Sequence, residues 1–150
     1  MRKQKVYLDN CCFNRPHDDQ RQLKIELETK AKLFIQSLIA ANKLSLTWSY
    51  ILDYENSKNS HMQKALAIQK WQTLAVEDVS ETPEILKISD EIQKTGIKTV
   101  DSLHLACAIY SKCDYFITVD KRILNYGGKD ITVCNPIDFI GIWEDLKNDE

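Results

Sequence analysis

Short apolar runs alternate with longer amphipathic segments along this chain. Lys5–Leu8 is a brief apolar run that stops at Asp9, and the polar stretch Asn14-Arg15-Pro16-His17-Asp18-Asp19 follows it, so a strand is expected to give way to a loop. From about Gln20 to Ala41 the residues Leu23, Leu27, Ala31, Phe34 and Leu38 recur at helical spacing, with Ile35 and Ile39 widening the stripe. That spacing predicts a long amphipathic helix. Leu44–Trp48 is a second strand candidate, and Ser49 is placed to cap a helix running through Leu52 and Glu55 until Asn56–Ser60 breaks it. Met62–Thr73 fits another helix, and Leu74–Val79 reads as a strand or an irregular link. Pro83 suits a first helical turn, Ile85, Leu86, Ile88 and Ile92 mark one face, and Gly96 closes a helix from Pro83 to about Thr95. Val100–Ser111 is a mostly apolar helix, and Tyr115–Val119 is a β-branched and aromatic run that stops at Asp120. After a turn through Leu124 and Gly127-Gly128, Ile131–Cys134 forms the last strand and Asn135-Pro136 opens a helix to about Leu146.

Strands this short, alternating with helices, require crossover connections and a mostly parallel sheet covered on both faces. The expected architecture is a three-layer α/β sandwich with a small sheet between helices, built as one domain over residues 1–150. In such sheets ligands lie beyond the carboxyl ends of the strands. Asp9 and Asp120 fall at that edge, and Glu55, on the first turns of the helix after the second strand, points into the same crevice. Asp101 opens a helix that is apolar nearly all round, where a buried carboxylate requires a partner, and a metal ion would serve.

Composition narrows the chemistry. Twenty basic and twenty-two acidic residues leave a formal charge of −2, which excludes a passive phosphate binder with a strong basic excess. Any nucleic-acid contact is therefore local or mediated by metal. The opening MRKQKVYLDN lacks the apolar core of a signal peptide or membrane span, so the expected location is the cytosol, without membrane association. Five cysteines show no CxxC or Cys/His zinc spacing and read as reduced thiols. Cys11 and Cys12 read as small buried residues at a strand end.

Four acids at one sheet edge suit a hard divalent cation, Mg²⁺ or Mn²⁺, which prefers oxygen ligands and binds substrate phosphate oxygens alongside them. Such an ion lowers the pKa of water, orients it for in-line attack on phosphorus and neutralises charge on the phosphoryl group. Like-charge repulsion among the acids is the cost, relieved on binding. The chain has no GxxxxGK[ST] loop, no GxGxxG after a strand, no HExxH and no GxSxG.

These segments resemble the PIN-domain nucleases over nearly the whole chain. Val6-Tyr7-Leu8-Asp9 is similar to the family's opening strand with its first acid, and Ser49 to Glu55 matches the segment in which a glutamate follows a serine by six. Asp101-Ser102-Leu103-His104-Leu105-Ala106 is similar to the D-small-L-H-x-A helix with the third acid. Cys113 to Asp120 resembles the strand ending T-x-D, and Asn135-Pro136 before a final helix is also in the pattern. The resemblance implies a metal-dependent endoribonuclease with Asp9, Glu55, Asp101 and Asp120 as catalytic and metal-binding residues, leaving 5′-phosphate and 3′-hydroxyl ends on RNA. It further implies a homodimer and, as in the VapC-like toxins, a small antitoxin protein that blocks the acidic mouth. Two departures stand out: Asn10-Cys11-Cys12 where the family usually has threonine or serine, and Arg122 where many members carry another acid. Asparagine still binds phosphate or water, and Arg122 leaves less acid for a second metal while adding a phosphate contact.

Among the remaining candidates, Asn10 and Thr118 are read as supporting residues, with the Thr118 hydroxyl placed to orient Asp120. Asp53 rivals Glu55 from two residues away, and Glu55 is preferred. His104 reads as a satisfied core histidine beside Asp101, and Asp114 as a turn residue at the far end of its strand. Arg15, Lys98, Lys121, Arg122 and Lys129 form a candidate phosphate track, of which Arg15, Lys121 and Arg122 are carried as RNA-binding residues. Trp48, Trp71 and Trp143 are spaced as core or interface residues. A receiver-like module or a DxD phosphatase would require paired acids after the first strand, where Asn10 and Cys11 stand. A catalytically silent PIN-like binding module is the surviving alternative.

Overall fold

The computed structural model describes residues 2–149. Its centre is β1 (Lys5–Leu8), where Val6, Tyr7 and Leu8 are fully buried because strands flank it on both sides and helices cover both faces. The other strands are β2 (Ser45–Ser49), β3 (Glu77–Val79), β4 (Tyr115–Ile117) and β5 (Thr132–Cys134), in the order β3-β2-β1-β4-β5 with every pairing parallel. The expected three-layer α/β arrangement is therefore present, with an all-parallel sheet.

Among the described residues eight α-helices accompany these strands, seven between them and one after the last: α1 (Asn10–Asn14), α2 (Leu23–Ala40), α3 (Tyr50–Ser57), α4 (Met62–Gln69), α5 (Pro83–Gln93), α6 (Thr99–Tyr110), α7 (Lys121–Leu124) and α8 (Pro136–Asn148). Several begin at side chains that accept a hydrogen bond from an otherwise unpaired backbone N–H: Asp9 before α1, Ser49 before α3, Thr82 before α5, Asp120 before α7 and Asn135 before α8. One sheet face carries Tyr7 stacked on Phe116 and meets His104 of α6, while Tyr115 packs edge-on against Phe139 of α8 on the other. Helices α2 and α8 pack together, as do α5 and α6.

Several expected boundaries shift. The loop anticipated after β1 is largely helical, with α1 followed by a 3₁₀ turn at Arg15–His17, because Asp9 caps the chain as it leaves the strand. Met62–Thr73 divides into α4 and a 3₁₀ turn at Lys70–Leu74. β4 ends at Ile117 rather than Val119, and Asp120 caps the short helix α7 where a plain turn was expected.

The long helix starts at Leu23, not Gln20, and buries a rotated face. Leu23 (68% exposed), Leu27 (45%) and Phe34 (39%) of the expected stripe face outward, while Glu28, Lys32 and Gln36 are buried beside Ile35 and Ile39. The cause is the segment before it. Arg15 pairs with Glu28 at 3.0 Å, the Thr29 hydroxyl donates to the Arg15 carbonyl, and Lys32 sits 5.7 Å from the Phe13 ring centroid. Burial pushes the Lys32 ammonium down to about 8, below its ordinary 10.5.

Because its folded pKa is depressed, Lys32 carries its full desolvation cost below about pH 8, and that cost disappears as pH rises toward 10.5. Lys32→Met, which keeps length and removes the charge, is expected to stabilise the fold at pH 7 by roughly 1–3 kcal/mol. The gain over wild type should shrink between pH 8 and 10.5, as measured by urea unfolding at several pH values. A gain independent of pH would show that Lys32 is not a buried charge of this kind.

Candidate active site

The acids converge because neighbouring parallel strands end together. Asp9 follows the last residue of β1, and its backbone N–H donates to Ile117 of β4 at 3.0 Å, which sets the two strand ends side by side. Asp120 lies three residues beyond β4, Glu55 on the second turn of α3 and Asp101 on the first turn of α6. All four line one cleft of about 380 Å³, with Asn10, Cys11, Asn14, Asp18 and Arg122 completing its wall.

Asp9 is 4% exposed and tightly oriented. Its Oδ1 accepts from the Asn10 backbone N–H at 2.8 Å, and its Oδ2 accepts from the Thr118 hydroxyl at 2.8 Å and the Cys11 thiol at 3.3 Å. Thr118 thus acts first on Asp9. Its hydroxyl oxygen also accepts from the Asp120 backbone N–H at 3.0 Å, so it holds the main chain of Asp120 rather than its carboxylate. That carboxylate is forked by Arg122, whose Nε lies 3.2 Å from Oδ1 and Nη2 2.9 Å from Oδ2. The guanidinium holds the Asp120 carboxyl below the usual carboxylate range.

Asp101 is held differently. Burial, then repulsion from Asp9 and Asp120, raises its pKa, with His104 and Arg122 opposing the rise. The Glu55 carboxylate accepts from His104 Nε2, which also lies 3.9 Å from Asp9 Oδ1. His104 is fully buried and hydrogen-bonded, with Glu55, Asp9 and Tyr7 as its polar neighbours rather than the expected Asp101.

The donor set suits a hard divalent cation. One potential ligand atom each from Asp9, Glu55 and His104 lies within 4.8 Å of the other two, and the Asn10 Oδ1, on the wall of the same cleft, is buried without a hydrogen-bond partner among the described residues. Clustered carboxylate oxygens and an unsatisfied amide oxygen are what such an ion coordinates, directly or through water. Asp101 and Asp120 line the cleft outside that tight group.

Asp53 is otherwise employed, accepting from Trp48 Nε1 at 2.9 Å and Gln69 Nε2 at 2.7 Å. Arg15 is committed to Glu28 and Asp18 and does not line the acidic cleft. Lys121 and Lys129 are exposed and also outside it. Lys98 joins Arg122, Lys58 and Tyr54 around an adjoining cleft of about 470 Å³ that shares Glu55 and Asp101 with the acidic site. Asp114 is a structural residue at the opposite edge, accepting from the Lys5 backbone N–H and pairing with Arg2. Sequence reasoning missed the Cys11 contacts and the Tyr7 hydroxyl behind His104. A signal for the second existed, since Tyr7 and Asp9 lie two apart and project from the same face of the strand.

Comparison with curated proteins gives no match. Among solved structures the chain is similar to the crystal structure of VapBC2 from Rickettsia felis bound to a DNA fragment from their promoter, with a TM-score of 0.58 at 16% sequence identity. The similarity covers 88% of this chain and 98% of the matched one, a likeness of fold. The PIN domain family model matches residues 6–129, and the chain belongs to the PIN domain family.

Proposed function

We propose that this protein is a divalent-metal-dependent endoribonuclease, and that it acts as the toxin of a toxin–antitoxin pair. The observation that carries the reading is the convergence of Asp9, Glu55, Asp101 and Asp120 on one cleft at the carboxyl edge of the sheet. Bound Mg²⁺ or Mn²⁺ would supply a polarised water and neutralise charge on the phosphoryl oxygens. Asp9 and Glu55 would hold the ion, with Asp101 and Asp120 completing the negative wall. Arg122 and Lys98, which line the adjoining cleft together, would receive the flanking phosphates. Hydrolysis with departure of the 3′ oxygen would leave 5′-phosphate and 3′-hydroxyl ends.

One observation favours the alternative of a catalytically silent PIN-like binding module: Arg122 occupies both oxygens of Asp120. Cleavage assays decide between them. Activity on single-stranded RNA is expected to require Mg²⁺ or Mn²⁺ and to vanish with chelator; cleavage by the pure protein that persists in excess EDTA would remove the metal mechanism.

The acids are expected to separate function from stability. Asp101→Asn should leave apo stability unchanged or slightly raised, because it removes a carboxylate disfavoured by burial and repulsion, whereas Asp120→Asn keeps a side chain that can cap α7 but loses the Arg122 pairing and should lower apo stability modestly. In both, Mn²⁺-induced stabilisation should shrink and cleavage should fall by roughly 10²-fold or more, about 2.7 kcal/mol of transition-state stabilisation. Asp9→Asn and Glu55→Gln should lose metal response and cleavage likewise. Thermal melts with and without Mn²⁺, beside RNA cleavage, test all four; variants that keep both responses would remove the proposed site.

The exposed Leu23, Leu27 and Phe34 of α2 are consistent with protein partners, for which the reading expects a homodimer and a small antitoxin. Light scattering at micromolar concentration should report the dimer, and a monomer throughout would exclude it.

A further inference from the structure

Behind Asp9 and Glu55 runs a buried chain of hydrogen bonds that the proposed chemistry does not use. His104 on α6 presents Nε2 to the Glu55 carboxylate and Nδ1 to Tyr7 Oη at 2.6 Å. Tyr7 Oη meets Ser49 Oγ at 2.7 Å, and Ser49 Oγ accepts from the Leu52 backbone N–H at 3.2 Å. Tyr7, Ser49 and His104 are each 0% exposed, so these groups must satisfy one another.

The chemistry of the groups gives the chain a direction. An ionised carboxylate only accepts, so the proton between Glu55 and His104 belongs to Nε2. Ser49 Oγ, already accepting from Leu52, has its own proton to give to Tyr7 Oη, and Tyr7 then donates to Nδ1. Every donor is used once, and each points toward the acidic cleft. A nitrogen that binds metal must offer a lone pair, and in this arrangement neither ring nitrogen has one free. Glu55 needs such a tether: its side chain is 31% exposed and has several rotatable bonds, whereas Asp9 is already locked by Thr118 and the Asn10 N–H. Ser49 caps the helix on which Glu55 sits, so Tyr7 links both the start of α3 and its acid to the strand that delivers Asp9.

We propose that His104 is a positioning residue, held by Tyr7 and Ser49 with its proton on Nε2, that aims Glu55 at Asp9 for cation binding without itself ligating the ion. The inference rests on the metal-site reading, and its test keeps the two apart. Glutamine at 104 places an amide N–H where Nε2 stands, whereas asparagine reaches only the Nδ1 position. Mn²⁺ affinity of the full chain, measured by calorimetry, is expected to fall about 10-fold or more in His104→Asn, as for other outer-shell partners, and much less in His104→Gln. Tyr7→Phe keeps the ring and its packing, so it should fold while weakening Mn²⁺ in the same direction. Ring ¹⁵N NMR should show the Nε2–H tautomer in wild type and its retention on adding diamagnetic Mg²⁺. Equal losses in the asparagine and glutamine variants, or loss of the Nε2 proton when Mg²⁺ binds, would overturn the positioning role. Wild-type binding that survives unchanged in His104→Asn would overturn this role alone, whereas a wild-type chain that binds no Mn²⁺ would overturn the metal-site reading and this role with it.

Discussion

Leu8 lies opposite Ile117 in the parallel pairing of β1 with β4, and that register determines where the acids fall. Two strands ending at the same level release their chains together, and the next backbone bond, from Asp9 to Ile117, extends the pairing by one step before the chains part. Thr118 then bridges the gap through its hydroxyl, touching the Asp9 carboxylate and the Asp120 main chain at once. A slip of one residue would turn Asp9 to the opposite face of the sheet, toward α2 and α8, and leave Thr118 without its acceptor.

The cleft that results is held under electrostatic tension, and each acid is accommodated differently. Asp9 is buried but given hydrogen-bond donors, Glu55 is backed by an imidazole, and Asp120 is neutralised by a guanidinium at its rim. Asp101 has no comparable donor among the described residues, and burial with its neighbours' charge raises its pKa. Asp101 is thus the acid whose charge burial and its neighbours disfavour, although Asp9 and Glu55 offer the closer ligand atoms.

Much of this was readable in the sequence, because the elements carrying it obey local rules. The buried run Val6–Leu8, the caps at Ser49 and Asn135 and the apolar helix after Asp101 are each fixed by neighbours along the chain. What was not readable depended on contacts distant in sequence. The face that α2 buries is set by Arg15 and Phe13, so Glu28 and Lys32 go inward against the apolar pattern. Arg15 was placed on a phosphate track for its charge, yet its guanidinium is occupied by Glu28 and Asp18. The link from Ser49 through Tyr7 to His104 joins residues from three elements, and no spacing along the chain announces it.

The sheet also bears on how this protein can associate. Its outer strands, β3 and β5, are three residues long. An edge that short exposes only a few unpaired backbone groups, too few to template a neighbouring strand or seed sheet-to-sheet growth. Association by strand exchange or strand addition is therefore disfavoured at both ends of the sheet. Contacts with a folded partner would then rest on side chains, where specificity is written residue by residue rather than in a generic backbone ladder.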